Sequence, residues 1–358
     1  MSNKGDTVRF GLLGAGLIAP FHAKSIQAAD GCDLIAVADL DGERAAKCAG
    51  EFGCQAVASL DDLLNDERID VICILTPNHL HCDAVVAAAK AGKHVLTEKP
   101  PAMSLTEADA MIAACEEAGV HLGVVLQCRV RKPIQAMHRA IAEGRFGRLI
   151  QADVYMKWFR AADYYHMDPW RSSRRSGAGV TIQHAFHYID LVGYLMGRVT
   201  EVSARMTNMA HGDVDLEDTL NASVTYANGA HGVVVASTAM WPGADVRIEI
   251  NGSDGAAVMA GERMERWQFR QERDEDEAIR ALGRGAVATA ASGPADFDFA
   301  DHQVVIEAMA EAVRGRGEPF ITAASARKTL EIALAMYQSA ARGTPVRLPV
   351  SDDATIWK

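Results

Sequence analysis

The chain has 358 residues, a length that favours two domains, because single hydrophobic cores stop growing at about 250–300 residues. Hydrophobic residues make up 49% and charged residues 23% of the sequence, a balance that is typical of globular proteins and argues against disorder. The formal net charge of −11 predicts an acidic surface that repels phosphate backbones, which excludes nucleic acid as an expected partner.

The first 128 residues alternate short apolar runs with Ala-rich segments of helical period. The apolar runs are nearly continuous, which predicts strands buried on both faces at residues 7–12, 34–39, 70–75, 94–97 and 120–126. Helices are predicted at residues 17–29, 43–51, 79–91 and 104–118. This alternation predicts a parallel, doubly wound sheet over residues 1–128.

The pattern changes in the remainder of the chain, residues 129–358. Strands are predicted at 148–159, 199–208, 217–227, 231–240 and 244–251, with a hairpin signal at Asn228-Gly229. Helices are predicted at 133–143, 177–196, 299–315 and 323–341, and loops or solvated segments at 160–175 and 270–297. We expect a second, α+β domain with a large, mostly antiparallel open sheet, whose last helix packs back toward the N-terminal domain.

The cysteines and the apolar runs of the sequence indicate the cellular compartment in which the protein works. All seven cysteines lie within residues 32–128, and their odd number without any CxxC pair favours reduced thiols over a disulfide framework or a zinc site. The sequence has neither an apolar run of about 18 residues nor an apolar N-terminal segment, so no membrane span or signal peptide is expected. These features predict a cytoplasmic protein.

A glycine-rich turn, Gly14-x-Gly16-x-x-Ala19, follows the first predicted strand directly and opens the first predicted helix. Gly14 permits the tight turn, Gly16 lets a pyrophosphate approach the backbone, and Ala19 is small enough for close packing of helix on strand. The N–H groups at the start of the helix, near Leu17 and Ile18, would bind the anion. This arrangement predicts a dinucleotide site.

The cofactor preference depends on Asp39, which ends the second predicted strand 20 residues after Ala19. A carboxylate at this position accepts hydrogen bonds from the ribose hydroxyls of adenosine. Leu40 follows it, and no arginine lies beside it, so a 2′-phosphate would face a negative charge. The sequence therefore favours NAD over NADP.

Motifs spread over the whole chain carry a family resemblance. They are Thr76-Pro77-Asn78-His79-Leu80-His81, Thr97-Glu98-Lys99-Pro100, Trp170-Arg171, Gly177-Ala178-Gly179, Gln183-His184-Ala185-Phe186-His187, Glu217-Asp218-Thr219, and the runs at 238–243 and 345–349. Together with the glycine loop they resemble the glucose–fructose oxidoreductase / inositol dehydrogenase / rhizopine catabolism (Gfo/Idh/MocA) family. The pattern at 157–171 resembles the branch that includes nucleotide-sugar and pyranoside dehydrogenases.

The resemblance implies an NAD-dependent oxidoreductase that acts on a secondary alcohol of a sugar, sugar derivative or inositol. It implies a Rossmann domain followed by an α/β domain whose open sheet forms a homodimer or homotetramer. Lys99 and His187 would face the substrate near the nicotinamide. The matching motifs imply cofactor contacts from Thr76, Pro77, Asn78, His81, Glu98, Lys99, Gln127, Trp170 and Arg171.

The proposed chemistry needs a group that takes the hydroxyl proton and a cation or donor near the oxygen. Lys99 suits the second role, because it ends a predicted parallel strand, where ligands bind in open α/β sheets. His187 suits the first, although the two could exchange roles. Many family members carry an acid one helical turn before this histidine, whereas this chain has Gln183, which could orient the imidazole but cannot carry a proton. His184 is a second candidate.

Other candidates keep two interpretations each. Arg129 would bind an anionic substituent or pair with an acid, and Tyr165 would stack on a pyranose or pack in the core. Lys157 is a candidate substrate contact on a strand, and Trp170 with Arg171 lies near the nicotinamide or in a packed surface loop. No metal site is predicted, because His79 and His81 lack a carboxylate cluster in ligand register.

Two other functions fit the same motifs. One is a glycosidase of the same family, which oxidises, eliminates and re-reduces its substrate without net turnover of NAD. The other is a regulator that binds the dinucleotide or a sugar without catalysis. The presence of both Lys99 and His187 favours the dehydrogenase, since a regulator need not keep proton-transfer groups.

Overall fold

A computed structural model describes residues 7–177, 179–283 and 298–350. Within these residues the chain forms two compact units. The first unit contains residues 7–127 and 298–327, and the second contains the described residues of 128–283 and 328–350. Part of the loop expected at 270–297 and Ala178 of the Gly177-Ala178-Gly179 motif lie outside the described residues.

Both units combine strands with helices. The strands are β1 (Val8–Leu13), β2 (Cys32–Ala38), β3 (Gln55–Val57), β4 (Val71–Ile74), β5 (His94–Thr97), β6 (Leu122–Val124), β7 (Leu149–Lys157), β8 (Val199–Thr207), β9 (Thr219–Tyr226), β10 (His231–Ser237), β11 (Arg247–Gly252), β12 (Gly255–Ala260), β13 (Arg263–Phe269) and β14 (Val346–Arg347). The helices are α1 (Ala19–Ala28), α2 (Gly42–Phe52), α3 (Leu60–Asn65), α4 (His81–Lys90), α5 (Leu105–Ala118), α6 (Lys132–Ala142), α7 (Ala162–His166), α8 (Val180–Gln183), α9 (Phe186–Met196), α10 (Asp276–Arg280), α11 (Ala300–Val313) and α12 (Ala323–Arg342). Short 3-10 turns occupy Asn78–Leu80, Gln127–Val130 and Pro169–Ser172.

The first unit is built on a six-stranded parallel sheet with the order β3-β2-β1-β4-β5-β6. All four residues of β4 are buried, as expected for a strand covered by helices on both faces. The strand order reverses between β1 and β4, and ligands of such sheets bind at the carboxyl ends of the strands at this point. The sheet confirms the Rossmann fold that the sequence predicted, with β3 and α3 as unpredicted additions.

Residues 298–327 belong to the first unit, whereas the sequence analysis placed them in the second domain. The reason is that residues at the start of α11 bind α1. The Ser25 hydroxyl of α1 donates to the Phe299 carbonyl (3.1 Å), and the Gln303 amide donates to the carbonyl of Ala28, the last residue of α1 (3.2 Å). Helix α11 thus covers α1 on one face of the sheet.

The chain after α11 also completes the edge of the same sheet. The N–H of Val124 in β6 donates to the carbonyl of Ile321 at 3.0 Å. Only residues 323–327 of α12 belong to the first unit, where Arg327 forms an ion pair with Asp109. Residues 328–342 of α12 belong to the second unit, so the expectation that the last helix packs back toward the N-terminal domain stays a prediction for this part of the helix.

The second unit is built on an eight-stranded sheet with the order β13-β12-β11-β7-β10-β9-β8-β14. Strands β7 and β10 are parallel and the remaining neighbours are antiparallel, which confirms the predicted, mostly antiparallel sheet. The hairpin β12–β13 was not predicted, because its sequence mixes small and charged residues without clean alternation.

The helix predicted at 177–196 is interrupted in the structure. Helix α8 ends at Gln183 and α9 begins at Phe186, and His184 between them has φ −121° and ψ −55°. The Ala185 N–H donates to the Val180 carbonyl at 2.8 Å, five residues back, which widens the turn. Residues 183 and 187 are therefore not one turn apart on a continuous helix, as the sequence analysis assumed.

The structure also bears on the expectations about disulfide bonds and membrane-spanning helices. The seven cysteines are free thiols, which agrees with the predicted absence of a disulfide framework. Among the helices within residues 7–177, 179–283 and 298–350, none combines the length and apolarity required to cross a bilayer.

Candidate cofactor and catalytic sites

The glycine loop between β1 and α1 shows why two of its positions are glycine. Gly14 has φ +109°, and a Cβ added there would lie 2.8 Å from the Leu75 carbonyl oxygen. A side chain would therefore clash with the backbone that follows β4. A Cβ added at Gly16 would meet no protein atom within 4 Å. The space beside Gly16 is open, as the approach of a pyrophosphate to the backbone requires.

Asp39 connects the end of β2 to the glycine loop. Its Oδ2 accepts a hydrogen bond from the Ala15 N–H at 2.7 Å, and its Oδ1 accepts one from the Asp41 N–H at 2.8 Å. Each carboxylate oxygen has two lone pairs, so Asp39 retains acceptor capacity for ribose hydroxyls. The observed position fits the role predicted from the sequence.

Other polar groups end the neighbouring strands of the first sheet. Thr76, Pro77 and Asn78 follow β4, and Gln127 follows β6. The Thr76 hydroxyl and the Gln127 Oε1 are buried without a hydrogen-bond partner among the described residues. Buried polar atoms of proteins are nearly always paired, so these two atoms are suited to a polar ligand. Together with the space at Gly16, they fit a dinucleotide.

His81 occupies a different position from the one the sequence suggested. Its ring is fully buried, with Nδ1 2.8 Å from the Pro100 carbonyl and Nε2 2.9 Å from the Thr76 carbonyl. Burial lowers the pKa of this imidazole, although the two carbonyl groups oppose that effect. The ring holds two loops at the carboxyl edge of the sheet together, so the expected direct contact of its side chain with NAD is corrected to a structural role.

The Glu98-Lys99-Pro100 segment leaves β5 at the same edge of the sheet. The Glu98 side chain is only 11% exposed; its Oε1 accepts a hydrogen bond from His22 Nε2 at 3.0 Å and its Oε2 accepts one from the Lys99 N–H at 3.1 Å. Both oxygens of Glu98 therefore bind the chain itself, which argues against the direct cofactor contact expected from the sequence. The Lys99 side chain is partly exposed, as a residue that meets a ligand must be.

In the second unit, three polar residues lie at the junction of α8 and α9. Gln183 is buried, and its Nε2 donates to the carbonyl of Arg171 at 3.0 Å. His184 is buried too, with its ring 5.3 Å from that of Tyr164. His187 is partly exposed. The partial exposure of His187 favours it over His184 for proton exchange, and Gln183 holds the loop of Arg171.

Trp170 and Arg171 lie in a loop that is packed by aromatic rings. The Arg171 guanidinium lies 4.6 Å from the Trp170 ring centroid and 4.9 Å from that of Tyr164, and its Nη1 donates to the Tyr164 hydroxyl at 2.8 Å. The Arg160 guanidinium lies 5.8 Å from the centroid of the same Tyr164 ring. The sequence analysis did not single out Arg160, whose only signal was its place in the Lys157–Arg171 pattern.

Two of the expected substrate residues have roles within the fold. Arg129 is 5% exposed and forms two hydrogen bonds with Asp190, at 2.7 Å (Nε–Oδ2) and 2.5 Å (Nη2–Oδ1). This is the pairing with an acid that the sequence left open. Tyr165 is 1% exposed, and its hydroxyl lies 2.7 Å from Thr238 Oγ1. Tyr165 therefore packs in the core instead of stacking on a sugar.

Lys157 is the third expected substrate contact, and that role stays a prediction. The next residue, Trp158, directs its ring toward His184 and Tyr188, with centroid distances of 6.1 Å and 5.9 Å. Side chains alternate along an extended chain, so exposed Lys157 points to the opposite face, where its Nζ lies 5.4 Å from the Tyr155 ring. It does not lie on the face that packs against α9.

Comparisons with known proteins identify the family. Residues 8–126 match the oxidoreductase family Gfo/Idh/MocA, NAD-binding Rossmann fold, and residues 134–258 match the Gfo/Idh/MocA C-terminal domain. Inositol 2-dehydrogenase of Rhizobium meliloti is 30% identical over 261 residues, 72% of this chain and 77% of that protein. The 1,5-anhydro-D-fructose reductase of Ensifer adhaerens is 29% identical over 346 residues, 94% of this chain and 97% of that protein.

A solved structure agrees with these matches. The WlbA dehydrogenase of Chromobacterium violaceum, in complex with NADH and UDP-GlcNAcA, is 30% identical to this chain, with a TM-score of 0.88 and 97% of each chain covered. These findings confirm the predicted fold, family and cofactor. The chain belongs to the Gfo/Idh/MocA family of oxidoreductases and carries the family's NAD-binding Rossmann domain.

Proposed function

We propose that this oxidoreductase is an NAD-dependent dehydrogenase that transfers a hydride between the nicotinamide and a secondary alcohol of a sugar, sugar derivative or inositol. The observation that carries the proposal is the position of Lys99: it leaves β5 at the carboxyl edge of the same sheet as the glycine loop and Asp39. The names of the relatives support the substrate class, since they include an inositol dehydrogenase and a reductase of an anhydro sugar.

The proposed cofactor contacts come from the glycine loop and from the motifs shared with the family. The backbone at Gly14, Gly16, Leu17 and Ile18 would bind the pyrophosphate, and Asp39 the adenosine ribose, which favours NAD over NADP. Further contacts toward the nicotinamide would come from Thr76, Pro77, Asn78, Lys99, Gln127, Trp170 and Arg171.

Bound NAD supplies the hydride acceptor, and the chain's own residues handle the proton and the charge on oxygen. The C–H hydrogen of the alcohol leaves with its electron pair, and the O–H proton goes to His187 Nδ1 or Nε2, so a ketone forms. The Lys99 ammonium donates a hydrogen bond to the oxygen, where negative charge develops. Gln183, whose Nε2 donates to the Arg171 carbonyl, cannot itself take the proton from His187, because an amide does not titrate.

The proposal also includes the cellular compartment and the oligomeric state of the protein. The reduced thiols fit work in the cytoplasm. The eight-stranded open sheet of the second unit offers a broad surface through which a homodimer or homotetramer would form. Both statements are open to direct test by fractionation and by light scattering.

The activity is tested with purified protein, NAD and a panel of neutral and anionic candidates: myo-inositol, scyllo-inositol, levoglucosan, D-apiose and UDP-GlcNAcA. NADH absorbance that rises with one of them supports the dehydrogenase. Cleavage of a glycoside without net NADH would instead indicate the glycosidase. Tight dinucleotide binding with neither activity would indicate the regulator.

Two variants test the catalytic roles proposed for Lys99 and His187. Lys99→Ala and His187→Gln should each lower kcat at least a hundredfold while NAD binding remains measurable, because the loss of a proton-transfer or charge-stabilising group costs about 10²–10⁴ in rate. Lys90→Ala is the matched control, since Lys90 is exposed at the end of α4, near the opposite edge of the sheet. Unchanged rates in Lys99→Ala or His187→Gln would remove that residue from the mechanism.

A further inference from the structure

Three residues that are distant in sequence form a buried cluster in the first unit: His22 of α1, Glu98 after β5 and His302 of α11. We call it the Glu98 cluster. His22 Nε2 lies 3.0 Å and His302 Nε2 4.0 Å from the same oxygen, Oε1 of Glu98. The two imidazole side chains are each 1% exposed. The family assignment and the proposed function give His22 and His302 no role.

The cluster keeps a buried carboxyl group ionised. Burial acts to raise the pKa of Glu98, because a charged group is poorly solvated inside a protein. The hydrogen bond from His22, together with the charges of His22 and His302, outweighs burial. The pKa of Glu98 is thereby lowered to about 2, so the group is an anion at neutral pH.

The second oxygen of Glu98 acts on the neighbouring residue. Oε2 accepts the Lys99 N–H at 3.1 Å, which fixes the backbone from which the lysine side chain departs. The Lys99 ammonium is also among the charges that lower the pKa of Glu98. Since such an interaction is reciprocal, the same carboxylate favours the charged form of Lys99.

We propose that Glu98 is a positioning residue for Lys99, and that His22 and His302 hold Glu98 in the ionised form and orientation this requires. Glu98 fixes the lysine backbone through Oε2 and favours the ammonium that would polarise a substrate oxygen. This positioning role rests on the proposed function of Lys99.

Two other titratable groups, those of Cys73 and His81, interact electrostatically with the Glu98 carboxylate. Cys73 of β4 is fully buried, and burial, with a further contribution from Glu98, raises the pKa of its thiol, so it stays neutral. His81 carries two carbonyl contacts, and burial lowers the pKa of its ring, so it too is neutral. Neither Cys73 nor His81 therefore adds a charge beside Glu98.

The first experiment measures the reactivity of the Lys99 amine toward acetic anhydride between pH 6 and 11, read by peptide mass spectrometry. In Glu98→Gln the pH midpoint of Lys99 labelling should fall by roughly one unit, because the neighbouring negative charge is lost. Glu98→Asp retracts the carboxylate by one methylene and should give a smaller shift in the same direction. Lys90, labelled in the same samples, should keep its midpoint.

The second experiment is a double-mutant cycle on thermal stability at pH 7. His302→Gln should lower Tm in the wild-type chain and change it little in the Glu98→Gln background, because its partner charge is then absent. His121→Gln is the matched control: His121 lies 3.5 Å from Glu318 but precedes β6, near the opposite edge of the sheet. Its effect should be the same in both backgrounds.

Three outcomes would overturn the inference. The first is an unmoved Lys99 midpoint in both Glu98 variants, and the second is an equal cost of His302→Gln in both backgrounds. The third is a stoichiometric metal ion in the purified protein, since the three donor atoms lie within 4.8 Å of one another. None of these measurements needs a substrate, so their failure is distinct from failure of the dehydrogenase assay.

Discussion

The carboxylate of Asp39 accepts a hydrogen bond from the backbone of Ala15, with 2.7 Å between Oδ2 and N. This contact joins the end of β2 to the glycine loop after β1. A residue that would select the cofactor thus also shapes the loop that would bind its pyrophosphate. The two functions share one side chain because β1 and β2 are neighbouring parallel strands and end at the same edge of the sheet.

Asp39→Ala should weaken NAD binding and narrow the preference for NAD over NADP. The loss of an acceptor for ribose hydroxyls costs about 1–3 kcal/mol, which raises Kd by roughly 5- to 150-fold. Fluorescence titration with both reduced dinucleotides measures the change. Asp41→Ala is the control: its Oδ1 accepts the N–H groups of Glu43 and Arg44 at the start of α2, so its loss should lower stability alone. A preference for NAD that survives Asp39→Ala would contradict the assignment.

Replacing Gly14 by alanine should mainly lower the stability of the fold, whereas replacing Gly16 by alanine should mainly lower the affinity for NAD. Gly14→Ala should destabilise the fold by about 1–3 kcal/mol, because φ is +109° and the new Cβ would lie 2.8 Å from the Leu75 carbonyl. Gly16→Ala should leave Tm nearly unchanged, since its Cβ meets no protein atom within 4 Å. NAD affinity should nevertheless fall at least tenfold, because the methyl group fills the open space. A normal Kd for Gly16→Ala would show that the dinucleotide does not approach this backbone.

The sequence predicted much of this fold because local patterns determine it. The strands of the first sheet are apolar on both faces, and the glycine loop has a fixed spacing, so β1, β2, β4 and β5 were found within two residues of their observed starts. Strand β3 has three residues, of which two are exposed, and gives no such pattern. Long-range packing was missed for the same reason, since nothing local shows that α11 covers α1.

The candidate site was predictable only in part. Motif residues such as Lys99 and Asp39 lie where the sequence placed them, at the ends of strands. The pairing of Arg129 with Asp190 and the burial of Tyr165 depend on the tertiary structure. His302 lies on a helix more than 200 residues after Glu98, so no spacing rule could connect the two.

Arg129 and Asp190 should be required for stability as a pair. Their side chains are 6% and 1% exposed, and Thr329 Oγ1 donates a further hydrogen bond to Asp190 Oδ1 at 2.6 Å. Arg129→Met alone should cost about 3–5 kcal/mol in the free energy of unfolding, because a buried charge loses its partner. The double variant Arg129→Met/Asp190→Leu should recover most of that loss. Additive losses in urea unfolding would show that the two residues act independently.

Glu217 provides a prediction about pH, because its carboxyl group is buried beside the start of α8. Oε1 accepts hydrogen bonds from the Thr181 N–H at 3.1 Å and from the Tyr337 hydroxyl at 2.6 Å. Oε2 is buried without a partner among the described residues. Burial raises the pKa of Glu217 above its usual value of 4.5, although these two hydrogen bonds oppose the shift.

The direction of the pH effect follows from proton binding. Between the unfolded pKa near 4.5 and the raised folded pKa, the native chain holds more protons than the unfolded chain. The contribution of Glu217 to stability is therefore fully present below the unfolded pKa and is lost as pH rises through the folded pKa. Glu217→Gln is neutral at every pH and removes this dependence, so its Tm relative to wild type should rise from pH 4.5 upward.

Scanning calorimetry between pH 4 and 9 measures the difference in Tm between the two chains, which cancels the titration of other groups. Glu217→Ala is the comparison: it leaves the Thr181 N–H and the Tyr337 hydroxyl without an acceptor and should cost roughly 2–4 kcal/mol near pH 4.5. Because alanine is also neutral at every pH, this cost should shrink with rising pH as the Glu217→Gln difference changes. A Glu217→Gln difference that stays flat with pH would mean that the carboxyl group keeps its ordinary pKa in the folded chain. A difference that falls as pH rises would mean that the group is held as an anion instead.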